Sequence, residues 1–350
     1  MSVEVIGGLL KVRPTDFFVR ENSLVNIVEE SQATHHYFLL RKCGLTTMEA
    51  IALIAKAADV LSTDISYSGL KDEDAVTEQL VALPIKVKLN SALVSGCLSK
   101  EADQWLHLSH YGYGSKPLQI GYLAGNTFNV SMRMLSRTTA EALKLRRSIN
   151  LVFLNYYDLQ RFGLPDQPKV THRIGDAILA QRWRHALDLV VESRSPESAD
   201  AATWTHAPEE FFANRDPRLV DFYLASSSAY VWNEALFGLV AEFGTRSVTN
   251  TTHDGIKFSF MNFSKHVLEF MAENPSTPYT RFSFSNGKCF QQNSSRPTSI
   301  QAIVQIGSIT ADELNPGQYV VGFGFALPSG SYGTMALRQL VHFLARGEVT

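Results

Sequence analysis

The feature that most restricts this chain is an interruption. Alternating apolar and polar residues mark strands in the first part of the sequence. After about Gln160 they give way to helical spacing and then to Ser/Thr/Asn-rich stretches with short apolar runs, and they return at Tyr319 to Phe325 before a turn at LPSG. A strand pattern that is left and later resumed reads as one domain with a second inserted into it. At 350 residues the chain can bury two cores. With 45% hydrophobic and 19% charged residues it belongs with ordinary globular proteins, not with disordered or collagen-like chains. Charged or polar residues break its apolar runs before they reach spanning length.

Within the first part, Phe17 to Val19 and His36 to Leu40 read as short strands. Thr46 or Thr47 caps a helix to about Val60, with Ile51, Ile54, Ala55 and Ala58 on one face. The apolar run Ile65 to Tyr67 then reaches a turn at Ser68 and Gly69, which sets Lys71 and Asp72 at the rim of a strand. On spacing alone such a pair is a solvated turn, since surface ion pairs are common and worth little. In GNTFNVSMRM, Asn126, Phe128, Val130, Met132 and Met134 alternate, so a strand points them to one face. By itself Phe128 reads there as core. Thr138 with Glu141 forms a capping box for a helix carrying Leu143, Ile149 and Leu151. The middle segment holds a helix near Asp176 to Leu189 and a loop containing Ser193 to Ser198. A long helix follows, opened by Asp216 and Pro217 and stopped at Gly244.

A net charge of -2 excludes a protein that is basic all over. Cations nevertheless outnumber acids from Val130 to His185, a stripe that can hold phosphates or serve as a solvated helix face. Cys43, Cys97 and Cys289 lie far apart and read as reduced, buried thiols. His35 with His36, and His107 with His110, lack the companions a metal site needs, so no metal is expected. Neither a GxxxxGK[ST] loop nor a dinucleotide fingerprint occurs. No basic segment leading into an apolar core opens the sequence, so the expected setting is cytoplasmic, away from membranes.

Five stretches carry more than composition. KVRPTDFFVRE at Lys11 to Glu21, YSGLKDEDAVTEQ at Tyr67 to Gln79, GYLAGNTFNV at Gly121 to Val130, NYYDLQRFG at Asn155 to Gly163 and FALPSGSYGTMALRQL at Phe325 to Leu340 together resemble the TruD family of tRNA pseudouridine synthases, in the family's order. The resemblance implies an α+β fold: a pseudouridine-synthase-type catalytic domain with a central mixed, largely antiparallel sheet flanked by helices, plus an inserted α+β TRUD domain. The expected boundaries are 1–156 and 304–350 for the catalytic domain and 157–303 for the insertion.

It implies isomerisation of uridine to pseudouridine without a cofactor, by a monomer acting on RNA, with tRNA as the leading substrate. Asp72 matches the family's catalytic aspartate, as nucleophile or as the base that takes a sugar proton. Lys11 is its expected cation across the fold, while Lys71 would face phosphate or solvent. Phe128 would stack on the target uracil, with Phe17 and Tyr332 as further aromatic candidates. Asn126 offers an amide to the uracil edge or to the Asp72 loop, and Arg161 suits a phosphate or a structural clamp.

The chain departs from the pattern at Glu73, Ala124 and Thr127, where the family carries basic residues. It also departs at Thr34, His35 and His36, where Gly-Glu-His is usual, and at Asp158 in place of glycine. Each lost phosphate contact weakens polyanion binding. Two alternatives therefore stand beside tRNA. One is pseudouridine formation on another RNA or on a free uridine nucleoside or nucleotide. The other is a catalytically silent RNA-binding module.

Overall fold

The computed structural model describes residues 3–5, 8–88, 90, 93, 97–100, 104–241, 248–262, 265–285 and 288–347. It divides into two compact units, Met1–Asn150 with Ala302–Ser331, and Leu151–Gln301 with Tyr332–Val349.

The first unit is built on a sheet whose strands include β1 (Gly8–Leu10), β2 (Phe17–Ser23), β3 (His35–Cys43), β4 (Val76–Pro84), β5 (Trp105–Gly114), β6 (Leu123–Leu135), β7 (Ser299–Ala311) and β8 (Tyr319–Pro328). Their order is β7-β8-β6-β2-β4-β3-β5, with β1 joining β6. Phe18 pairs with Val76 and Arg20 with Glu78 in the parallel β2–β4 ladder, whereas the other ladders between these strands are antiparallel. The parallel step needs a crossover. Helix α1 (Thr47–Ala58) lies in that crossover.

A capping box starts α1. Thr46 accepts from the Glu49 amide and Glu49 accepts from the Thr46 amide, an arrangement worth about 1 kcal/mol. Its Ile51, Ile54, Ala55 and Ala58 face Phe38, Leu40, Val81, Leu83, Leu106 and Leu108 of the sheet, as the spacing predicts.

Local signals fail where side chains elsewhere decide. Met134 leaves the expected face and is exposed, because it takes φ 59 and the β6–β8 register shifts beside it. Arg133 turns inward instead, bonded to Asp16, Asp312 and Glu313. The next helix, Arg137–Lys144, is capped by Ser136 and not by Thr138. Glu141 pairs with Lys144, and Ile149 and Leu151 lie on the following strand, Ser148–Leu154.

In the second unit, the single helix expected near Asp176 to Leu189 is two, Thr171–Leu179 and Trp183–Ser193. Gln181 at φ 54 separates them, and the Arg182 amide closes the first on the Ala177 carbonyl. The long helix Pro217–Ala241 begins as expected, with Asp216 accepting from the Arg218 amide; its stop at Gly244 lies outside the described residues. Gly175 lets the Thr171–Leu179 helix approach the long one, since a Cβ there would overlap the Tyr223 carbonyl.

The C-terminal helix Gly333–Arg346 groups with this second unit, whereas the expected catalytic domain took in all of 304–350. Buried Gln339 bonds both the amide and the carbonyl of Met261, and His342 lies 2.8 Å from Asn262. Apolar spacing tells which face a helix buries, not which neighbour covers it. Of the cysteines expected to be buried, Cys43 is, but Cys289 is exposed on the hairpin strand Lys288–Pro297. The side chain of Cys97 lies outside the described residues. Among the described residues no helix is long and apolar enough to cross a membrane.

Candidate active site

Alternation along β2 and β6 puts Phe17, Val19 and Glu21 beside Val130, Phe128 and Asn126 on one sheet face. Strand β8 continues the rows, with Phe325 opposite Phe128 and Leu327 opposite Asn126. Gly125 permits the close approach of β8, because a Cβ there would overlap the Leu327 carbonyl oxygen.

The loop holding Lys71 and Asp72 is tied down through its main chain. Thr47 Oγ1 accepts from the Lys71 amide at 2.9 Å, and Gln79 Nε2 donates to the Gly69 carbonyl at 3.0 Å. The Gly121 amide donates to the Ser68 carbonyl, and the Gly44 amide to the Glu73 carbonyl. Such anchoring fixes a side chain at a sheet rim without burying it. The Asp72 side chain remains 16% exposed.

Lys11 follows β1 with φ 56, a conformation that costs a non-glycine residue on the order of 1–3 kcal/mol and persists where the surroundings impose it. Its buried ammonium donates to Asp72 Oδ2 at 2.8 Å and to Asp74 Oδ1 at 2.7 Å, and stands 4.6 Å from the Phe17 ring centre. Burial alone would drive off its proton. The facing Asp72 and Asp74 carboxylates outweigh that and hold its pKa above the ordinary lysine value.

Lys71 turns the other way. It was expected to face phosphate or solvent, but its Nζ donates to Glu21 Oε2 at 2.8 Å, with both side chains buried. Glu21 is the register partner of Asn126, so the Lys71-Asp72 dipeptide grips the sheet face at both ends. One end meets the Asn126 row, and the other reaches Phe17 through Lys11.

Phe128 is buried, stacked on Phe325 at 5.1 Å and 16°, with the Phe17 ring edge-on at 6.1 Å. Phe17, an expected base-stacking candidate, is 1% exposed and lies between Lys11 and Phe128, so it supports the others from beneath. Asn126 Oδ1 is buried and has no hydrogen-bond partner among the described residues. An amide left so costs about 1–3 kcal/mol unless something else bonds it.

Tyr332 and Arg161 belong to the second unit. Tyr332 lies edge-on to Tyr157 at 6.0 Å. Arg161 sits against the rings of Tyr157 and Phe222, an arrangement that favours the structural clamp among the roles weighed for it.

Sequence reading missed Asp74, Glu21 and Phe325. A signal existed for each: Asp74 stands two places after Asp72, Glu21 shares the period-two face of Phe17, and Phe325 heads the FALPSGSYG stretch. The expected positive stripe is partly spent internally, Arg133 on Asp16 and Asp312, Lys144 on Glu141 and Arg173 on Glu192.

Residues 1–230 match the family model described as tRNA pseudouridine synthase D (TruD). This chain belongs to the TruD family. The TruD protein of Geobacter sulfurreducens is 32% identical over 210 residues, which cover 59% of this chain and 47% of that protein. The Bos taurus protein named pseudouridylate synthase 7 homolog is 32% identical over 189 residues, 54% of this chain and 27% of the relative. The chain thus covers less than half the length of either. A Methanococcus maripaludis protein named as a TruD is 25% identical, with 93% of this chain and 98% of the relative covered. In fold, the chain is similar to the crystal structure of a TruD protein from Methanosarcina mazei, with TM-score 0.52 and 17% identity over 97% of this chain and 94% of that one. The α+β TruD architecture, with its mixed sheet flanked by helices, is therefore the architecture of this chain.

Proposed function

We propose that this chain isomerises uridine to pseudouridine in RNA, with tRNA as substrate and Asp72 as the reacting carboxylate. The reaction breaks the N1–C1′ bond, turns the uracil and joins C5 to C1′; the C5 proton is lost and N1 gains one, so no electrons or energy enter. It needs one carboxylate beside the ribose and a sheltered place for the detached base. The observation that carries the reading is Lys11. This buried cation fixes Asp72 from one side while resting on the ring that touches Phe128.

Asp72 serves as nucleophile on the sugar or as base for a sugar proton. Flipping the uridine out of its stack costs a few kcal/mol. Contact with the Phe128 ring edge and a hydrogen bond from the uracil N3–H to Asn126 Oδ1, which has no partner among the described residues, offset that cost. Asp74 shares Lys11 with Asp72 and tempers the ammonium's hold on it. The domain layout that fits is a catalytic unit interrupted by the TRUD segment, working as a monomer in the cytoplasm.

One observation favours a second substrate class. Around the loop, the ammoniums of Lys11 and Lys71 are taken up by Asp72, Asp74 and Glu21 and that of Lys42 by main-chain carbonyls, Glu73 adds a further acid, and Ala124 and Thr127 stand where basic residues are usual. A rim this acidic suits an RNA with few phosphate contacts, or a free uridine nucleotide.

The deciding experiment incubates the protein and Asp72→Asn with unmodified tRNA, uridine and UMP, and assays pseudouridine. Product in tRNA that requires Asp72 is the expected result. Product from UMP alone replaces the substrate, and product from Asp72→Asn at the wild-type rate overturns the assignment of the carboxylate.

A further inference from the structure

We propose that Lys42 is a positioning residue for the reacting loop, holding Asp72 by its main-chain carbonyl while Lys11 holds its carboxylate. The inference rests on the reading of Asp72 given above.

Lys42 lies on β3 with Thr77 of β4 and Leu106 of β5 as register partners, and it is 0% exposed. Its ammonium donates to the Leu45 carbonyl at 2.7 Å, the Asp72 carbonyl at 2.7 Å and the Lys71 carbonyl at 3.4 Å. An ammonium has three donors and no acceptor, and here they fan onto main-chain oxygens from both sides of α1. Those carbonyls lie on the segments before and after α1, which the Gly44–Glu73 main-chain bond and the Thr47 hydroxyl also join; Lys42 is the charged group that bonds both.

Burying an ammonium costs several kcal/mol, and an apolar side chain of similar length would fill the same volume more cheaply. The expense therefore points to placement, not to packing. If the Asp72 carbonyl moves, the carboxylate swings against Lys11, and a misplacement of about 1 Å can cost about 100-fold in rate.

The charge state supports this. Burial, with the Lys71 ammonium adding to it, pushes the Lys42 pKa down to about 8, although Asp72, Glu73 and Cys43 favour the charged form. Lys42 is thus an ammonium at neutral pH. Losing a proton in mild alkali turns one donor into a lone pair facing carbonyl oxygens, and the loop loosens. Lys11, whose pKa is raised by Asp72 and Asp74, stays charged through the same range.

The test compares wild type, Lys42→Met and Lys42→Gln with the substrate that wild type turns over, at pH 6 to about 9.5, per folded molecule. Lys42→Met is expected to lower kcat about 100-fold with KM unchanged. Lys42→Gln, which still donates but does not titrate here, is expected to recover part of that loss and to lack the alkaline limb near pH 8. Amide exchange of the Gly69–Asp74 loop is expected to quicken in both variants. Wild-type kcat in Lys42→Met, or an alkaline limb unchanged in Lys42→Gln, overturns the proposal. If Lys42→Met does not fold, Lys42→Gln and the exchange data decide it. An inactive wild type, or an Asp72→Asn as active as wild type, removes the functional reading instead; loop exchange still reports whether Lys42 holds the loop.

Discussion

Lys71 Nζ lies 2.8 Å from Glu21 Oε2, and neither side chain is open to water. Two residues adjacent in sequence therefore part company: Lys71 is fastened into the sheet, and Asp72 is left at the rim. Lys71→Met leaves a buried carboxylate uncompensated and is expected to cost ~3–5 kcal/mol of stability by urea unfolding. The salt dependence of RNA binding should stay as it is. A flatter salt slope with unchanged stability would return Lys71 to the phosphate-binding role.

Lys11→Met should abolish pseudouridine formation in single-turnover assays, because the Asp72 carboxylate then loses the buried cation that fixes it. Asp74→Asn keeps the Lys11–Asp72 pair and should reduce the rate far less. Equal losses in the two variants would show that the site requires Asp74 as much as the ammonium.

Phe128 and Phe325 should separate by readout. Phe325→Ala empties a packed position and is expected to destabilise the protein by ~3–5 kcal/mol. Phe128→Leu keeps most of the volume but loses the ring, and should weaken substrate binding by ~1–3 kcal/mol at nearly unchanged stability. Binding unaffected by Phe128→Leu would restrict that residue to the core.

Acid should act on the β6 bulge. Burial alone would raise the Asp312 carboxyl, yet the Met134 and Leu314 amides, Asn315 and Arg133 bond its charged form and hold its pKa at about 2. The folded value lies below the unfolded one of about 3.9, so the stabilisation is complete above about pH 5 and is lost as pH falls through about 2. At about 1.4 kcal/mol per pKa unit it amounts to ~2.5 kcal/mol. Urea titrations of wild type and Asp312→Asn should differ most near neutrality and converge towards about pH 2. A difference that is constant with pH would assign the effect to neutral hydrogen bonds.

Sequence alone determined what periodicity and local chemistry carry. The Thr46 cap, the apolar face of α1, the common face of Asn126 and Phe128 and the family motifs all depend on residues within a few positions of one another. The outward turn of Met134 depended on Asp312, which accepts from its amide across 178 residues, and on the register of β8, neither of which a short window contains.

The family motifs already implied that Lys11 reaches Asp72; only the tertiary structure decided how the remaining charges pair and which neighbours helices choose. Lys11 meets Asp72 and Asp74 across more than sixty residues, Lys71 meets Glu21 across fifty, and Gln339 meets Met261 across 78. A lysine is spelled the same whether it ends in water, on a carboxylate or on a carbonyl. What separates Lys11, Lys42 and Lys71 is the burial each meets once the strands have paired, and burial is a property of the assembled sheet.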